Sequence, residues 1–596
     1  MNNKKDFYFT LFLFALAFGL RLLYTFSLEK KYFFAQHPAS DVVYYQNWAK
    51  EIAYGDWVGE GALKGLPLYP YFLALVYRLA LGNWFIVRLV HLVLGSINVL
   101  LLFNLTRKIF PRKVSYPTGI LMATNLLLIF YDWLMMPVPL LIFIGLVILN
   151  SLQTLKPNSP PRQWFFLGIM VGLGILGDGK FLIFLFFLAI YFFLKKKEQS
   201  VTRNTNIFLP LIAGIILIVS CVSLRNRMAG GEWTFISSHS GINFYIGNNP
   251  KASGIFENPN FIRPDHYGIE EDQRIVAEKI LNKKLTYTQA SHFWQQQSFN
   301  FIRNHPWDYL KLLAKKIYSF VTEQEAAYEI DYLLQQEVRQ RWDMNPLSLI
   351  FPLSLFGLIL VIRRRENVQP INFLLASQLI FTLLFFLLDR HRASILPLFI
   401  IYETYALVWL AEQLQRRDYP KFIVGAGIVI LGIILLKPQP LAPDMIKFLK
   451  LSKAGPIYDE QREFKKAQEN YAQALQLRPA DANTLYNLGT SLSLEDHYTD
   501  AIPIFHRALA LNPYDINTQY NLAYSYEQTG QTQQAIVEYR KAIDLDALCL
   551  AAYFRLAEIY KSLGNCPEAN QYYLQIPKKN PRYRAEAARY IRECTP

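Results

Sequence analysis

Long apolar runs, one after another, constrain this chain more than any other feature. A helix needs about 20 predominantly apolar residues to cross a hydrocarbon core ~30 Å thick. About eleven candidate runs can be counted: 7–27, 84–105, 115–133, 137–154, 164–179, 181–194, 206–224, 346–362, 371–388, 394–411 and 421–437. The fifth and sixth are short and are separated by little more than "GDGK". The first is too long for a removable signal peptide and lacks a small-residue cleavage site. The runs predict an all-α protein whose first part is a polytopic membrane helical bundle of about 11 spans.

Orientation follows from Lys and Arg in short loops. "NKK" at the start, "RKIFPRK" (107–113), "KPNSPPR" (156–162), "KKKEQ" (195–199), "RRRE" (363–366) and "QRRDYPK" (415–421) fall on one side when the runs are threaded in turn. That side is expected to be the cytoplasm of a plasma (inner) membrane. Segments 28–83 and 226–345, and everything after 437, then lie outside. The formal charge of +15 reads as a topology signal, and no basic stretch carries the aromatic interleaving of a nucleic-acid platform.

Beyond residue 445 the composition turns polar, and a strict period of 34 appears. Ala467, Ala501, Ala535 and Ala569 follow it, as do Gly455, Gly489, Ala523 and Ala557, and Tyr471, Phe505, Tyr539 and Tyr573. This resembles the tetratricopeptide repeat, a helix pair with small residues where helices cross and large ones between. Three repeats (480–513, 514–547, 548–581), a degenerate one before them and a closing helix at 582–594 form an α-solenoid over 446–596. Such arrays bind proteins or peptides on a concave face; a spacer or stabilising cap is the alternative. The four cysteines make neither a disulfide framework nor a metal-ligand pattern. Cys221 reads as a small buried residue of the seventh run. The closing helix runs antiparallel to the one before it, which returns Cys594 close to Cys566 and leaves Cys549 further away. An oxidising compartment outside the cytoplasm would permit a bridge.

Several polar residues on the outer side are candidates for chemistry. "HPASDVVYYQNWAKEIAYGDW" (37–57) has the spacing of a surface helix, with Val42, Tyr45, Ala49 and Ile52 on one face and Ser40 and Asp41 at its head. Asp41 is either a helix cap or a catalytic carboxylate. Asp132 ends the third run, and Arg88 and His91 lie within the second; ionisable groups in a span face a cavity or a partner. Arg88 could also snorkel, and His91 could be a packed core residue. "LLDRHRASILPL" (387–398) places Arg390, His391 and Arg392 on the side where topology disfavours positive charge. Arginine's planar fork matches phosphate oxygens; pairing with Asp389 or with membrane lipid is the other reading. Lys180 in "GDGKF" is a further cation there. "NFYIGNNPKASG" (243–254) contains Asn248, Asn249 and Lys251, either substrate contacts or a structural turn.

"SDVVYYQNWAKEIAYGDWVGEG…LPLYPYFLALVYRL", followed by an arginine in the next run, resembles the start of the GT-C glycosyltransferases. These polytopic enzymes are related to protein O-mannosyltransferases and the aminoarabinose transferase of lipid A. "LRNRMAGGEWTFISSHSGINFYIGNNPKASGIF" (224–256), "YEIDY" (328–332) and "RHRASILPL" are similar to the bacterial subgroup that carries repeats. The likeness covers about 1–440. It implies a GT-C-like domain with outer loops 28–83 and 226–345, and transfer of a sugar from a polyprenyl-phosphate-linked donor with inversion. By resemblance Asp41 is the base and Arg390 and Arg392 are phosphate partners, with Lys180 and Arg88 as further cations. Asp132 is the only acid left near the third run, because Val138 stands where relatives commonly carry the Glu of a Glu-Pro pair. "GDGKF" likewise stands where many relatives have an Arg-Pro pair. No cofactor is certain, and a divalent cation is left open. The other expectations are a lipid-linked glycan ligase or polymerase, or a non-catalytic membrane-anchored repeat scaffold.

Overall fold

The fold is taken from a computed structural model. It describes the chain except residues 1, 29–40, 56, 60–64, 157, 199–204, 231–232, 234–235, 237–238, 258, 260, 263–265, 323–346, 365–367, 437–441, 547–548, 580–582 and 595–596. "YEIDY" and Ser40 therefore lie outside the described residues. Every regular element among the described residues is a helix, apart from one isolated parallel bridge between Ile255 and Leu387. The chain divides into two compact units, 1–257 with 291–440, and 258–290 with 441–596.

Among the described residues of the first unit, three helices are long and apolar enough to cross a membrane: Lys4–Ser27, Trp84–Ile109 and Ile207–Ala229. A fourth span is reached only if Arg112–Thr124 and Leu126–Leu134, bent by 49°, count as one. The expectation of about 11 spans is corrected by this geometry. Asn125 breaks the third run by capping a new helix, its side chain accepting from the Leu128 amide at 3.1 Å. Other runs form shorter apolar helices, such as Val138–Thr154, Gln369–Leu384 and Tyr419–Leu435. At 1.5 Å per residue, a 17-residue helix reaches only about 25 Å. Sequence windows count apolar residues and do not see where Asn, Pro or Asp interrupts them.

The apolar helices still present outward faces that suit hydrocarbon. Leu209, Ile212, Ile216 and Leu217 are exposed on Thr205–Gly230, and Ile423, Ile430, Leu431 and Ile434 on Tyr419–Leu435. Cys221 is exposed on the former helix as well, not buried as expected. Inside, Gly168 and Gly214 let the Pro161–Gly177 and Thr205–Gly230 helices cross with backbones touching: a Cβ on Gly168 would strike the Leu211 carbonyl, and one on Gly214 the Phe165 carbonyl. Small residues at such crossings are how helices pack tightly in lipid.

The second unit explains its own period. Ala467, Ala501, Ala535 and Ala569 are fully buried, as are Tyr471, Phe505, Tyr539 and Tyr573. A Cβ on Gly455 would hit the Tyr471 ring, and one on Gly489 the Phe505 ring, so the small residue makes room for the aromatic. Buried tyrosine hydroxyls need an acceptor. Tyr471 donates to Asp459 and Tyr539 to Glu527, each at 2.8 Å. Where the aromatic is Phe505, with no hydroxyl, the matching position holds Ser493. The turn after each first helix recurs at Arg462, Asp496, Gly530 and Gly564, all at positive φ. Helix pairs 443–460/464–477, 482–494/498–511, 516–528/532–545 and 550–562/566–579 precede Arg584–Glu593. Cys566 and Cys594 form a disulfide with Cα atoms 5.4 Å apart; Cys549 lies outside that bridge. Segment 258–290, read from sequence as part of an outer loop of the first domain, belongs to this unit. Its helix His266–Leu281 pairs Arg274 with Glu271 and Glu278, each at 2.9 Å, and Lys279 donates to the Asp544 carbonyl at 2.5 Å.

Candidate active site

Asp41 is the first residue of the helix Asp41–Tyr54, which buries Val42, Ala49, Ile52 and Ala53. Position in the first turn favours a negative charge through the helix dipole. Its carboxylate is 8% exposed and forms an ion pair with Arg390, whose side chain is 23% exposed. Arg390 sits on a one-turn helix, Asp389–Ala393, that follows Gln369–Leu384. Two sequence-selected residues from opposite ends of the first unit thus meet. Burial lowers the Arg390 guanidinium to about 10, so it remains charged at neutral pH.

The same turn carries His391, whose ring meets Phe381 edge-on at 5.5 Å. Burial holds the imidazole down to about 3, against the pull of Asp178. Asp178 accepts from the Lys180 amide at 2.9 Å and from Lys180 Nζ at 2.8 Å. Lys180 Nζ also donates to Ser394 Oγ at 2.6 Å. Lys180 and Ser394 form the polar end of a small pocket whose other lining residues include Leu141, Leu146, Phe181, Leu374 and Leu398.

Arg392 faces inward instead of lining an open site. Its side chain is 2% exposed, pairs with Asp389 and donates to the Ser319 carbonyl at 3.2 Å. That is the internal-pairing reading. Asp132 joins Arg21, not Asp41: Arg21 Nε lies 2.6 Å from its carboxylate with both side chains buried. Gly95 gives the carboxylate its room, since a Cβ there would overlap it. Arg88 is held between the rings of Trp84 and Trp133, 4.8 Å from each. His91 is a packed histidine, its ring nitrogens 2.9 Å from Tyr69 Oη and 3.0 Å from the Val87 carbonyl.

The asparagine loop is a clamp. Asn248 is fully buried and donates to the carbonyls of Phe244 at 2.8 Å and Leu384 at 2.6 Å. Its Oδ1 accepts from Lys316 Nζ at 3.0 Å. Asn249 bonds the Tyr245 carbonyl at 2.9 Å and accepts the Lys251 amide at 2.8 Å; Lys251 itself is exposed. Asn248 and Asn249 thus bond backbone groups, and Lys251 contributes its backbone amide to the turn. Sequence reasoning passed over Lys316 and Arg21. Lys316 lies in a stripe of Leu312, Ser319 and Phe320 that is otherwise the buried face of Pro306–Val321, so a charge at a core position was the available signal. Arg21 was legible as an ionisable residue inside an apolar run. Among the described residues, no three His, Cys, Asp or Glu side chains gather as a metal site.

Residues 64–224 match the family of dolichyl-phosphate-mannose-protein mannosyltransferases, a region that includes Arg88, Asp132 and Lys180 but neither Asp41 nor Arg390. Residues 452–516, 516–547 and 551–583 match tetratricopeptide repeat models. The chain thus couples a mannosyltransferase-like region with membrane-compatible helices to a tetratricopeptide array. No curated protein matches it. Among solved structures, a MamA protein is 22% identical, covering 25% of this chain and 90% of its own, with a TM-score of 0.23. The tetratricopeptide protein YrrB, described as having an unusual peptide-binding site, is 15% identical over 31% of this chain and 88% of its own, also at 0.23. A pilF protein of Pseudomonas aeruginosa is 18% identical over 31% and 85%, at 0.22.

Proposed function

We propose that the first unit is a multi-pass membrane glycosyltransferase that moves a sugar from a polyprenyl-phosphate-linked donor to an acceptor hydroxyl on the outer side, with inversion. The observation that carries this reading is the Asp41–Arg390 pair, a carboxylate and a guanidinium brought together from distant parts of the first unit. The matched mannosyltransferase family supports the reaction class.

Acceptor oxygen forms the new bond to the anomeric carbon as the bond from that carbon to the lipid phosphate breaks. The proton goes to Asp41, and the bonding electrons leave with the phosphate, where Arg390 meets the developing charge. In the resting protein Arg390 holds Asp41. Donor phosphate competes for the same guanidinium, so donor arrival frees the carboxylate to act as base. The repeats recruit a protein or peptide from the outer side; a disulfide between Cys566 and Cys594 suits that compartment.

A scaffold reading draws on Val138, buried where relatives carry an acid, and on Asp132 being engaged by Arg21. Purified protein incubated with a panel of radiolabelled polyprenyl-phosphate sugars and envelope acceptors separates the two. Transfer with inverted anomeric configuration supports the enzyme, and no turnover across the panel leaves the scaffold.

A further inference from the structure

We infer that Lys316 is a positioning residue for Arg390, acting through the segment 383–392. This rests on the donor-site reading above for its functional consequence, but not for its geometry. Segment 385–388 has no regular structure of its own beyond the bridge between Ile255 and Leu387, yet it delivers Arg390 to Asp41. What holds it is a set of contacts from 244–256 and from the Pro306–Val321 helix.

Lys316 Nζ donates to the Leu383 carbonyl at 2.8 Å, the last turn of the preceding helix. One turn further along the same face, the Ser319 carbonyl accepts from Arg392 at 3.2 Å. The Pro306–Val321 helix thus grips the chain on both sides of Arg390. Asn248 is the second jaw: it accepts from Lys316 and donates to the Leu384 carbonyl. Between the jaws, the Phe256 amide donates to Leu387 O and the Leu387 amide to Gly254 O, each at 3.2 Å. Gly247 closes the packing, because a Cβ there would overlap the Phe385 carbonyl.

A fully buried lysine is costly to desolvate, and an apolar residue would fill this core position with less penalty. Bonding the Leu383 carbonyl and Asn248, on the approach to the Arg390 turn, accounts for its presence. An arginine that must meet a phosphate needs its backbone held to within about 0.5 Å by such support. Without Lys316 the 383 end is released, and Arg390 samples positions that meet neither Asp41 nor phosphate.

The test uses full-length protein in nanodiscs, with farnesyl phosphate as the probe. Lys316→Met removes the donor, Lys316→Gln keeps a shorter one, and Asn248→Ala removes the second jaw should the first variant fold poorly. The expected result is faster hydrogen exchange across 383–394, unchanged exchange in the repeats, and about tenfold weaker farnesyl phosphate binding. Lys316→Gln should recover part of both. Faster exchange with wild-type affinity would make Lys316 a structural residue only and overturn the inference. Unchanged exchange in Lys316→Met and Asn248→Ala overturns the clamp itself. Wild-type affinity in Arg390→Ala removes the donor-site reading alone, since exchange still decides whether Lys316 orders the segment.

Discussion

Replacing Asp41 by Asn separates two roles that a loss of activity alone would merge. If Arg390 is shared between Asp41 and an incoming phosphate, removing the carboxylate must strengthen phosphate binding while it slows transfer. The pair lies between two energetic limits. Exposed ion pairs contribute about 0–1 kcal/mol, and breaking a fully buried one costs about 3–5 kcal/mol. With side chains 8% and 23% exposed, about 1–2 kcal/mol is appropriate, or roughly a 5- to 30-fold fall in Kd for a prenyl phosphate. The helix loses only the dipole interaction of a first-turn acid, about 0.3–1 kcal/mol, so expression and fold should persist. Calorimetric titration of wild type, Asp41→Asn and Arg390→Ala with farnesyl phosphate reads this directly, with Arg390→Ala binding more weakly than either. Equal or weaker binding by Asp41→Asn would refute competition for Arg390, whatever happens to turnover.

Three other outcomes follow from the geometry. Asp132→Ala strands Arg21 in the core and should cost about 3–5 kcal/mol, seen as lost expression or a lower Tm; Arg21→Met with Asp132→Leu should recover most of it, and a Tm no higher than that of Asp132→Ala would remove the stranded charge as the cause. Cys566→Ser opens the bridge to Cys594 and should destabilise the end of the array by about 2–4 kcal/mol, read as faster exchange in 584–593 with the earlier repeats unaffected. Burial holds Lys316 down to about 7 from 10.5, so between those values the unfolded chain binds a proton that the native one lacks. Stability of the first unit should therefore rise with pH from about 7 towards 10, by about 1.4 kcal/mol per unit from this residue, and be penalised below 7; a Tm–pH slope unchanged in Lys316→Met would remove Lys316 as its source.

The repeats were legible because one spacing recurs. Each buried Ala and each aromatic occupies an equivalent place in successive helix pairs, and the antiparallel closing helix was enough to bring Cys594 to Cys566. The apolar bundle was legible as composition but not as a count of spans, since Asn125 splits the third run into two helices bent by 49° and several other runs form helices of 17 residues or fewer. At the site, Asp41 and Arg390 were visible as charges out of place for a membrane chain. Their partners were not. Arg392 and Asp389 are neighbours in sequence, yet Ser319 comes from a distant helix. Asn248 could be a ligand or a turn residue because adjacent asparagines mark turns and sugar sites alike, and its bonds to the carbonyls of Phe244 and Leu384 are not readable from sequence. Lys316 was hidden among the basic residues of "LKLLAKKIYSF", where two further lysines face outward.

The central claim is that Asp41 takes the proton from the acceptor as the sugar moves. Its most direct measurement is the single-turnover transfer rate of wild type and Asp41→Asn, at saturating polyprenyl-phosphate sugar and matched protein in nanodiscs. Loss of general-base assistance predicts a rate lower by about 10²–10⁴-fold with donor still bound. Equal rates in the two proteins would contradict the account and leave Asp41 as a first-turn residue that anchors Arg390.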